Sequence, residues 1–338
     1  MKTFWDMNTL LSSYWGMYAV QTVLHSVIAS VLIDGALFAW DMKTPSVKQR
    51  FRFMAIFLPL TLFPLYQLMV PHRGDVYFRL GSLLDSNKWF SLELWYGIPA
   101  FAVFLFLLAL SAVIFVIQEL VPIVFSMLEQ MRATNEAGPG AVEEAVARKV
   151  TKALEGLPFD EQSVEIVLDE DFALFSDTGL TPRIYVSTGL ITSFSVDQLQ
   201  AAFAHEIGHI QRTRKPFLIL AYVLRALMFY NPVALFEFRK LAQGEEKVCD
   251  DIAVSLTNRP DSLAEAVDML RPAPEDYDLG KGRGGVRGLV SALEHRSHDV
   301  LLKSRITRIG QGRRDDLPWT VPYVMTAALI AVINFFVV

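Results

Sequence analysis

The chain has 338 residues, of which 52% are hydrophobic and 20% are charged, and its mean hydropathy is +0.33. This composition is more apolar than that of ordinary water-soluble domains and indicates a membrane protein. The formal net charge is −5 and the basic residues form short scattered clusters, which excludes the broad basic face of a nucleic-acid-binding protein. A single cysteine, Cys249, excludes an intrachain disulfide and a zinc site built from several cysteines.

Four apolar segments approach the roughly 20 residues that a helix needs to cross about 30 Å of hydrocarbon. The first contains His25 and Asp34, whose ionisable side chains are costly within a bilayer. We expect Asp34 to reach the interface and His25 to stay neutral against a neighbouring helix, although a functional role is the alternative. The predicted spans are about 18–40, 53–70 and 98–117, within an N-terminal membrane region 1–134, and a C-terminal helix 317–338.

The positions of Lys and Arg predict the orientation, because short basic loops stay in the cytoplasm. The loop from Asp41 to Arg52 contains four basic residues, whereas acidic residues balance the basic ones between Pro71 and Tyr96. A second basic cluster, from Lys303 to Arg314, precedes the last span. Both signals place about 118–316 in the cytosol and both termini outside.

Residues 135–316 have the pattern of a mixed helical and β domain. The sequence NEAGPG at 135–140 sets its start, and an amphipathic helix is predicted over 141–157. Ser195 and Gln198 form a capping box that begins a further helix just before the sequence AHEIGHI. Short β-rich runs lie between these helices, at 164–168, 172–175 and 184–187.

The motif His205-Glu206-Ile207-Gly208-His209 predicts a metal-dependent hydrolase. One helical turn separates the two histidines, so both imidazoles project from one face and can hold a single divalent ion. Glu206, about 100° further around the helix, is placed to deprotonate a metal-activated water and to protonate a leaving amine. The alternative is a helix on which these side chains have no chemical role, and the capped helical context favours the metal site.

A third ligand is expected from the acidic segment Gly244–Asp251. With Glu246 as the ligand, Asp250 lies one turn away, where its carboxylate can accept a hydrogen bond from a ligating histidine. A solvated helix face with i,i+4 charge pairs is the alternative interpretation, and Glu245 is the alternative ligand. Glu246 is favoured because the residue four positions after Glu245 is Cys249 rather than a carboxylate.

An apolar segment at about 216–236 separates the two ligand helices. A single crossing would put Glu246 on the opposite side of the bilayer from His205, and both could not then bind one ion. Arg225 and the dipeptide Asn231-Pro232 interrupt the segment, leaving a first stretch of only about fourteen residues. We therefore expect a re-entrant or interfacial segment, with the metal at the membrane surface.

The stretches AHEIGHIQR, FYNPVALFEFRK and EEKVCDDIA resemble the membrane gluzincin metallopeptidases. The resemblance covers about 165–256 and is to the antirepressor-sensor peptidases of β-lactam resistance (BlaR/MecR type), more distantly to HtpX-type peptidases and CAAX prenyl endopeptidases. It implies an α-helical membrane protein with an inserted α+β zincin-like domain, in which a small sheet accompanies the HExxH helix and the Glu-ligand helix. The single broken segment 216–236, where HtpX-type enzymes have two full spans, favours the sensor-peptidase branch.

The resemblance also implies roles for individual residues. His205, His209 and Glu246 would hold one Zn²⁺ ion. Glu206 would be the general base, and Asp250 would be the carboxylate that supports a ligating histidine. Because the chain ends at its last predicted span, we do not expect a β-lactam-binding domain or antibiotic sensing.

On the substrate side, the resemblance implies that Pro182–Ser187 is an edge strand to which an extended substrate adds. The strand residues concerned are Arg183, Ile184, Tyr185 and Val186. Arg305 and His298 are candidates for stabilising an oxyanion or clamping the substrate backbone. A surface helix near anionic lipid is the alternative explanation of both residues.

These features together predict a membrane-integral zinc endopeptidase that cuts a membrane or membrane-proximal protein, in regulated proteolysis or signalling. Its partners would be a protein or peptide substrate, such as a membrane protein or a cytosolic regulator, and the lipid bilayer of a bacterial inner (cytoplasmic) membrane. The alternatives are a non-catalytic receptor or scaffold with a zinc-stabilised fold and an HtpX-like quality-control protease. Glu206 favours an enzyme, because a scaffold needs only the metal ligands.

Overall fold

A computed structural model describes residues 13–117, 121, 144–177, 181–213, 216–270, 301–310 and 318–338. The chain divides into two compact units. The helix unit comprises Met1–Ala137, Ile219–Gly244 and Asp315–Val338, and the sheet unit comprises Gly138–Leu218 and Glu245–Arg314. The described part of the chain is thus mostly helical, with one small sheet.

The helices are labelled in chain order, and residues 301–310 are helical as well. They are α1 (Tyr14–Ala39), α2 (Pro45–Met69), α3 (Val76–Leu80), α4 (Ser86–Phe90), α5 (Ala100–Phe115), α6 (Glu144–Leu154), α7 (Thr188–Ser193), α8 (Val196–Thr213), α9 (Pro216–Leu227), α10 (Pro232–Thr257), α11 (Pro260–Met269) and α12 (Thr320–Phe335).

Among the described residues of the helix unit, two helices, α1 and α2, are long and apolar enough to cross a membrane. They contain the predicted spans 18–40 and 53–70 almost entirely. The shorter apolar helices α5 and α12 lie within the other two predicted spans and have 16 residues each, about 24 Å of helix. Their outward side chains are also apolar: Phe106 on α5 is 64% exposed and Val324 on α12 is 65% exposed. Such faces are stable against lipid rather than water, which indicates a membrane protein.

The helix unit contains a buried carboxylate, Glu237 on α10, with its charge balanced by neighbouring helices. Oε1 of Glu237 accepts a hydrogen bond from Oγ of Ser30 at 2.7 Å, and Arg52 approaches Oε2 at 3.0 Å. Lys240 lies 3.2 Å from Glu237, and Arg52 also pairs with the half-exposed Asp34. Two acids and two bases therefore meet, as a buried charge requires.

His25 on α1 follows the expectation for a residue packed against a neighbouring helix. Its side chain is buried, and its ring meets that of Tyr66 on α2 edge-on, with the centroids 6.1 Å apart. The predicted packing against another helix is therefore observed.

The described residues of the sheet unit form three short strands, β1 (Val164–Val167), β2 (Leu174–Asp177) and β3 (Arg183–Ser187). β3 pairs parallel with β1 and antiparallel with β2, which gives the order β1-β3-β2. The core of the unit lies between the sheet and the helices α6 and α8, where Val150, Ile184, Val186 and Phe203 are buried. The three predicted strands are therefore confirmed, with β2 beginning two residues later than predicted.

The prediction of an edge strand at Arg183–Val186 is wrong. β3 is the central strand and is hydrogen-bonded along both sides. Ile184 and Val186 are fully buried, in keeping with a central position. The sequence pattern distinguishes a strand from a helix but carries no signal for the order of strands within a sheet. Among the described strands, β1 and β2 occupy the edges.

The two helices that carry the predicted ligands begin with clear capping signals. The backbone N–H of Gln198 donates to Oγ of Ser195 at 3.2 Å, and that of Ser195 donates to Oε1 of Gln198 at 2.8 Å, so the predicted capping box at α8 is confirmed. At α10, Oδ1 of Asn231 accepts a hydrogen bond from the backbone N–H of Val233 at 3.0 Å.

The apolar segment between these helices is broken, as predicted. α9 has 12 residues, about 18 Å of helix, which is too short to cross about 30 Å of hydrocarbon. The chain then turns before α10 begins at Pro232. Insertion of the segment in the membrane as a re-entrant or interfacial element stays a prediction.

Candidate metal centre

Three side chains of the sheet unit meet as a potential metal site: His205 and His209 from α8 and Glu246 from α10. One donor atom from each lies within 4.8 Å of the other two, and the structure shows this one such group among the residues it describes. The two Nε2 atoms are 3.1 Å apart, and each lies 3.5 Å from an oxygen of Glu246.

These separations fit a tetrahedral zinc ion. With zinc–nitrogen and zinc–oxygen bonds of about 2.0–2.1 Å, neighbouring donor atoms of a tetrahedron lie about 3.3 Å apart. Imidazole nitrogen and carboxylate oxygen are also donors that zinc takes readily. The residues present therefore suit the metal that the sequence predicts.

Asp250 lies behind the first ligand. Its Oδ1 is 3.0 Å from Nδ1 of His205, at hydrogen-bond distance although the contact is not linear. The carboxylate is almost completely buried. A carboxylate on Nδ1 fixes the ring tautomer that leaves Nε2 free for a metal, which is the role that the sequence predicts for Asp250.

Arg305, in the helical residues 301–310, lies against the two carboxylates rather than open to a substrate. Its guanidinium binds Asp250 through Nε and Nη2, at 2.9 and 2.7 Å, and its Nη1 lies 3.0 Å from Oε2 of Glu246. This arrangement accounts for the arginine without an oxyanion, since it neutralises two adjacent acids. His298, the other candidate on the substrate side, lies outside the described residues.

The charges of the site shift the pKa values of its members. Burial opposes protonation of His205, but its contacts with Asp250 and Glu246 prevail and raise its pKa to about 9. Burial favours the neutral acid form of Glu246 and Asp250, yet their contacts with His205 and the charge of Arg305 lower each pKa to about 2. Both carboxylates are therefore ionised at neutral pH, and a metal ion at this site would compete with a proton for His205.

Glu245, the alternative ligand, is engaged elsewhere. Nε and Nη2 of Arg212 donate to its two oxygens, each at 2.7 Å. The two side chains are only 11% and 12% exposed, so the pair forms a shielded bridge between α8 and α10. This geometry supports Glu246 as the ligand. The sequence contained a signal for Arg212, which lies seven residues after His205 and so on the same helix face.

The two ligand helices touch where Gly208 meets Cys249. A Cβ atom at position 208 would lie 3.2 Å from Cα and 3.3 Å from Cβ of Cys249. Cys249 is buried, as expected of a small apolar residue, and its Sγ is 3.5 Å from Nδ1 of His209. Burial and the nearby acids Glu245 and Glu246 raise the pKa of its thiol, which is therefore neutral.

Glu206, the predicted general base, is half-buried beside His205 on α8. The same helix therefore carries all three motif residues, and the two histidines converge with Glu246.

Comparison with known proteins adds a family to this geometry. The model of the family BlaR1 peptidase M56 matches residues 98–262, a range that includes the His205, His209 and Glu246 group. No curated protein and no solved structure matches the chain. The resemblance predicted from the sequence motifs is thereby confirmed over residues 98–262, which are similar to a family of membrane-associated metallopeptidases.

Proposed function

We propose that this protein is a membrane-integral zinc endopeptidase. The observation that carries the proposal is the convergence of His205, His209 and Glu246 within 4.8 Å, with Glu206 on the same helix as both histidines. The fold around it is proposed to be zincin-like, because a small sheet packs on the HExxH helix and a second helix supplies the acidic ligand. The protein family supports hydrolysis of a peptide bond.

The chemistry then follows from the protein side chains. When bound, zinc supplies an electrophile and lowers the pKa of a water molecule. Glu206 would accept the proton of the attacking water and return it to the nitrogen of the leaving amine. Asp250 holds His205 in the required tautomer, and Arg305 keeps both carboxylates ionised.

The free sheet edges limit where an extended substrate can pair. β3 is paired on both sides, which leaves β1 and β2 as the edges among the described strands. Of these, β2 also lies beside α8, the helix with the zinc motif. We therefore propose that a substrate segment pairs with Leu174–Asp177.

A membrane or membrane-proximal protein, or a cytosolic regulator, is the substrate class proposed, in regulated proteolysis at a bacterial inner membrane. A receptor or scaffold with a zinc-stabilised fold would need the three ligands but not Glu206. An HtpX-like quality-control protease would act on many unrelated proteins. The number of distinct cleavage products therefore separates the last alternative from regulated proteolysis.

Removal of the metal tests the proposal directly. Chelation of membranes that contain the wild-type protein should abolish its cleavage products, and added Zn²⁺ should restore them, because the ion supplies the electrophile. Labelling of new protein N-termini identifies the products, and membranes with the Glu206→Gln variant give the background of other proteases. Products that depend on Glu206 and resist complete chelation would contradict a zinc-dependent enzyme.

The proposed orientation places the sheet unit in the cytosol and both termini outside. Within the helix unit, the guanidinium of Arg50 near the start of α2 lies 4.4 Å from the ring centroid of Trp319, just before α12. The first residues of α2 and of α12 therefore lie at the same end of the helix unit. Each of these helix starts is also next to one of the basic segments of the sequence. A phosphatase reporter after Val338 should be active outside the cell, whereas the same reporter placed within 135–140 should be inactive. A reporter after Val338 that works only in the cytosol would reverse the assignment.

A further inference from the structure

The two histidine ligands are supported in different ways. Their Nε2 atoms face each other and Glu246, so each ring presents Nε2 to a bound ion, and a ring that binds through Nε2 carries its proton on Nδ1. Nδ1 of His205 meets the carboxylate of Asp250 at 3.0 Å, whereas Nδ1 of His209 meets the thiol of Cys249 at 3.5 Å. The second contact pairs an N–H donor with a sulfur acceptor.

We propose that Cys249 is a positioning residue for the metal centre. Its sulfur accepts a hydrogen bond from Nδ1–H of His209 and so fixes the tautomer and the ring orientation that present Nε2 to the ion. This inference rests on the proposed zinc-peptidase function and adds a residue to it. A partner on the second ring nitrogen of a ligating histidine sets the orientation and basicity of that ligand.

The backbone holds the thiol at this place. Cys249 is completely buried, and its Cα and Cβ lie so near Gly208 that a methyl group there would approach within 3.2 Å. Gly208 precedes His209 directly, and Cys249 precedes Asp250 directly. The same crossing of α8 and α10 therefore brings both supporting groups to their histidines, and the sulfur has little room to move away.

The geometry argues against Cys249 as a metal ligand. The sulfur contacts Nδ1 of His209. The metal would be bound by Nε2, whose lone pair points away from Nδ1 and from the sulfur. The group of atoms suited to one ion consists of His205, His209 and Glu246 among the described residues. Loss of a group that supports a ligating histidine typically lowers metal affinity by about 10–100-fold. Because sulfur is a weak hydrogen-bond acceptor, we expect loss of the Cys249 thiol to lower metal affinity by an amount near the lower end of that range.

The test measures metal binding by the full-length protein in detergent, independently of hydrolysis. Zn²⁺ affinity is determined by competition with a coloured chelator, and Co²⁺ absorption reports the coordination geometry. Cys249→Ala should bind zinc about tenfold more weakly and show an altered cobalt spectrum. Cys249→Ser, which restores an acceptor, should recover most of both properties. Val248→Ala, a truncation at the adjacent buried residue, should retain wild-type affinity despite lower thermal stability.

Several results would overturn the role of Cys249. One such result is that Cys249→Ala keeps the zinc affinity and the cobalt absorption of the wild type. Another is that Val248→Ala loses as much zinc affinity as Cys249→Ala, which would indicate a general effect of packing. A sulfur-to-cobalt charge-transfer absorption that is lost in Cys249→Ser would identify the thiol as a ligand instead. If Cys249→Ala does not fold, Cys249→Ser decides, and an affinity reduced tenfold or more in that folded variant would refute the acceptor role. A wild-type protein that binds neither ion would refute the proposed function itself.

Discussion

Replacement of Glu206 by glutamine is expected to abolish cleavage while the metal remains bound. Glutamine has nearly the same shape but cannot accept the proton of the attacking water. General-base catalysis contributes about 10²–10⁴-fold to a rate, and we expect a loss in that range or greater. The ligands His205, His209 and Glu246 are unchanged, so zinc content should match that of the wild type. Cleavage products in native membranes and metal content per chain are the two measurements.

The same variant can identify the substrate, because a protein that binds but does not cut retains its partner. Glu144→Gln is a suitable control, since Glu144 is an exposed residue that pairs with Arg148 on α6, far along the chain from the motif. The Glu144→Gln variant should cleave at the wild-type rate and should not retain a bound substrate protein. If the Glu206→Gln variant gave the wild-type product pattern, including any self-cleavage, the enzyme hypothesis would fail and the scaffold hypothesis would be favoured.

Replacement of Glu246 by glutamine is expected to remove the metal, whereas Glu245→Gln should keep it. Glu246 offers one oxygen to each histidine nitrogen at 3.5 Å, and its loss leaves two imidazoles of the three donor groups that the described residues supply. Loss of a group that only hydrogen-bonds to a ligand lowers metal affinity by about 10–100-fold. Because Glu246 is itself a proposed ligand, we expect its loss to lower zinc affinity further. Equilibrium dialysis against zinc, with metal quantified per chain, measures the difference.

Glu245→Gln serves as the matched control for the ligand assignment. It weakens the bidentate ion pair with Arg212, so we expect lower stability, by about 1–3 kcal/mol, with zinc still bound. Thermal unfolding in detergent reports that loss. Zinc loss in the Glu245 variant alone would overturn the assignment of Glu246 and move the third ligand by one residue.

The sequence allowed prediction of those parts of the site that local rules determine. The capping box at Ser195 and Gln198 depends on residues three apart, and the placing of both histidines on one face depends on the helical repeat. Glu246 followed from the spacing to Asp250. The capping box and the histidine pair required no knowledge of how distant segments pack, whereas the meeting of Glu246 with the histidines joins two helices and was predicted from the need for a third ligand.

The parts that the sequence could not predict depend on contacts between distant segments. The central position of β3 is set by its pairing with two other strands, which the alternation of Arg183–Ser187 does not encode. Arg305 binds Asp250, 55 residues earlier in the chain. In the sequence, the positive charge of Arg305 is equally consistent with binding an oxyanion and with binding anionic lipid. The contact between Cys249 and His209 exists because two helices cross at a glycine.

The close contact at Gly208 has a consequence for which ion the protein selects. Because the helices already touch there, they cannot approach each other further, and the donor atoms lie 3.1–3.5 Å apart, a spacing that suits a small ion. Ca²⁺ takes six to eight oxygen donors at about 2.3–2.6 Å and Mg²⁺ keeps several waters, so neither abundant ion competes well for two imidazoles. Cu²⁺ and the later first-row metals fit in size, and Cu²⁺ binds such donors more tightly than Zn²⁺. Occupancy by zinc thus depends on which of these metals the cell makes available where the chain folds.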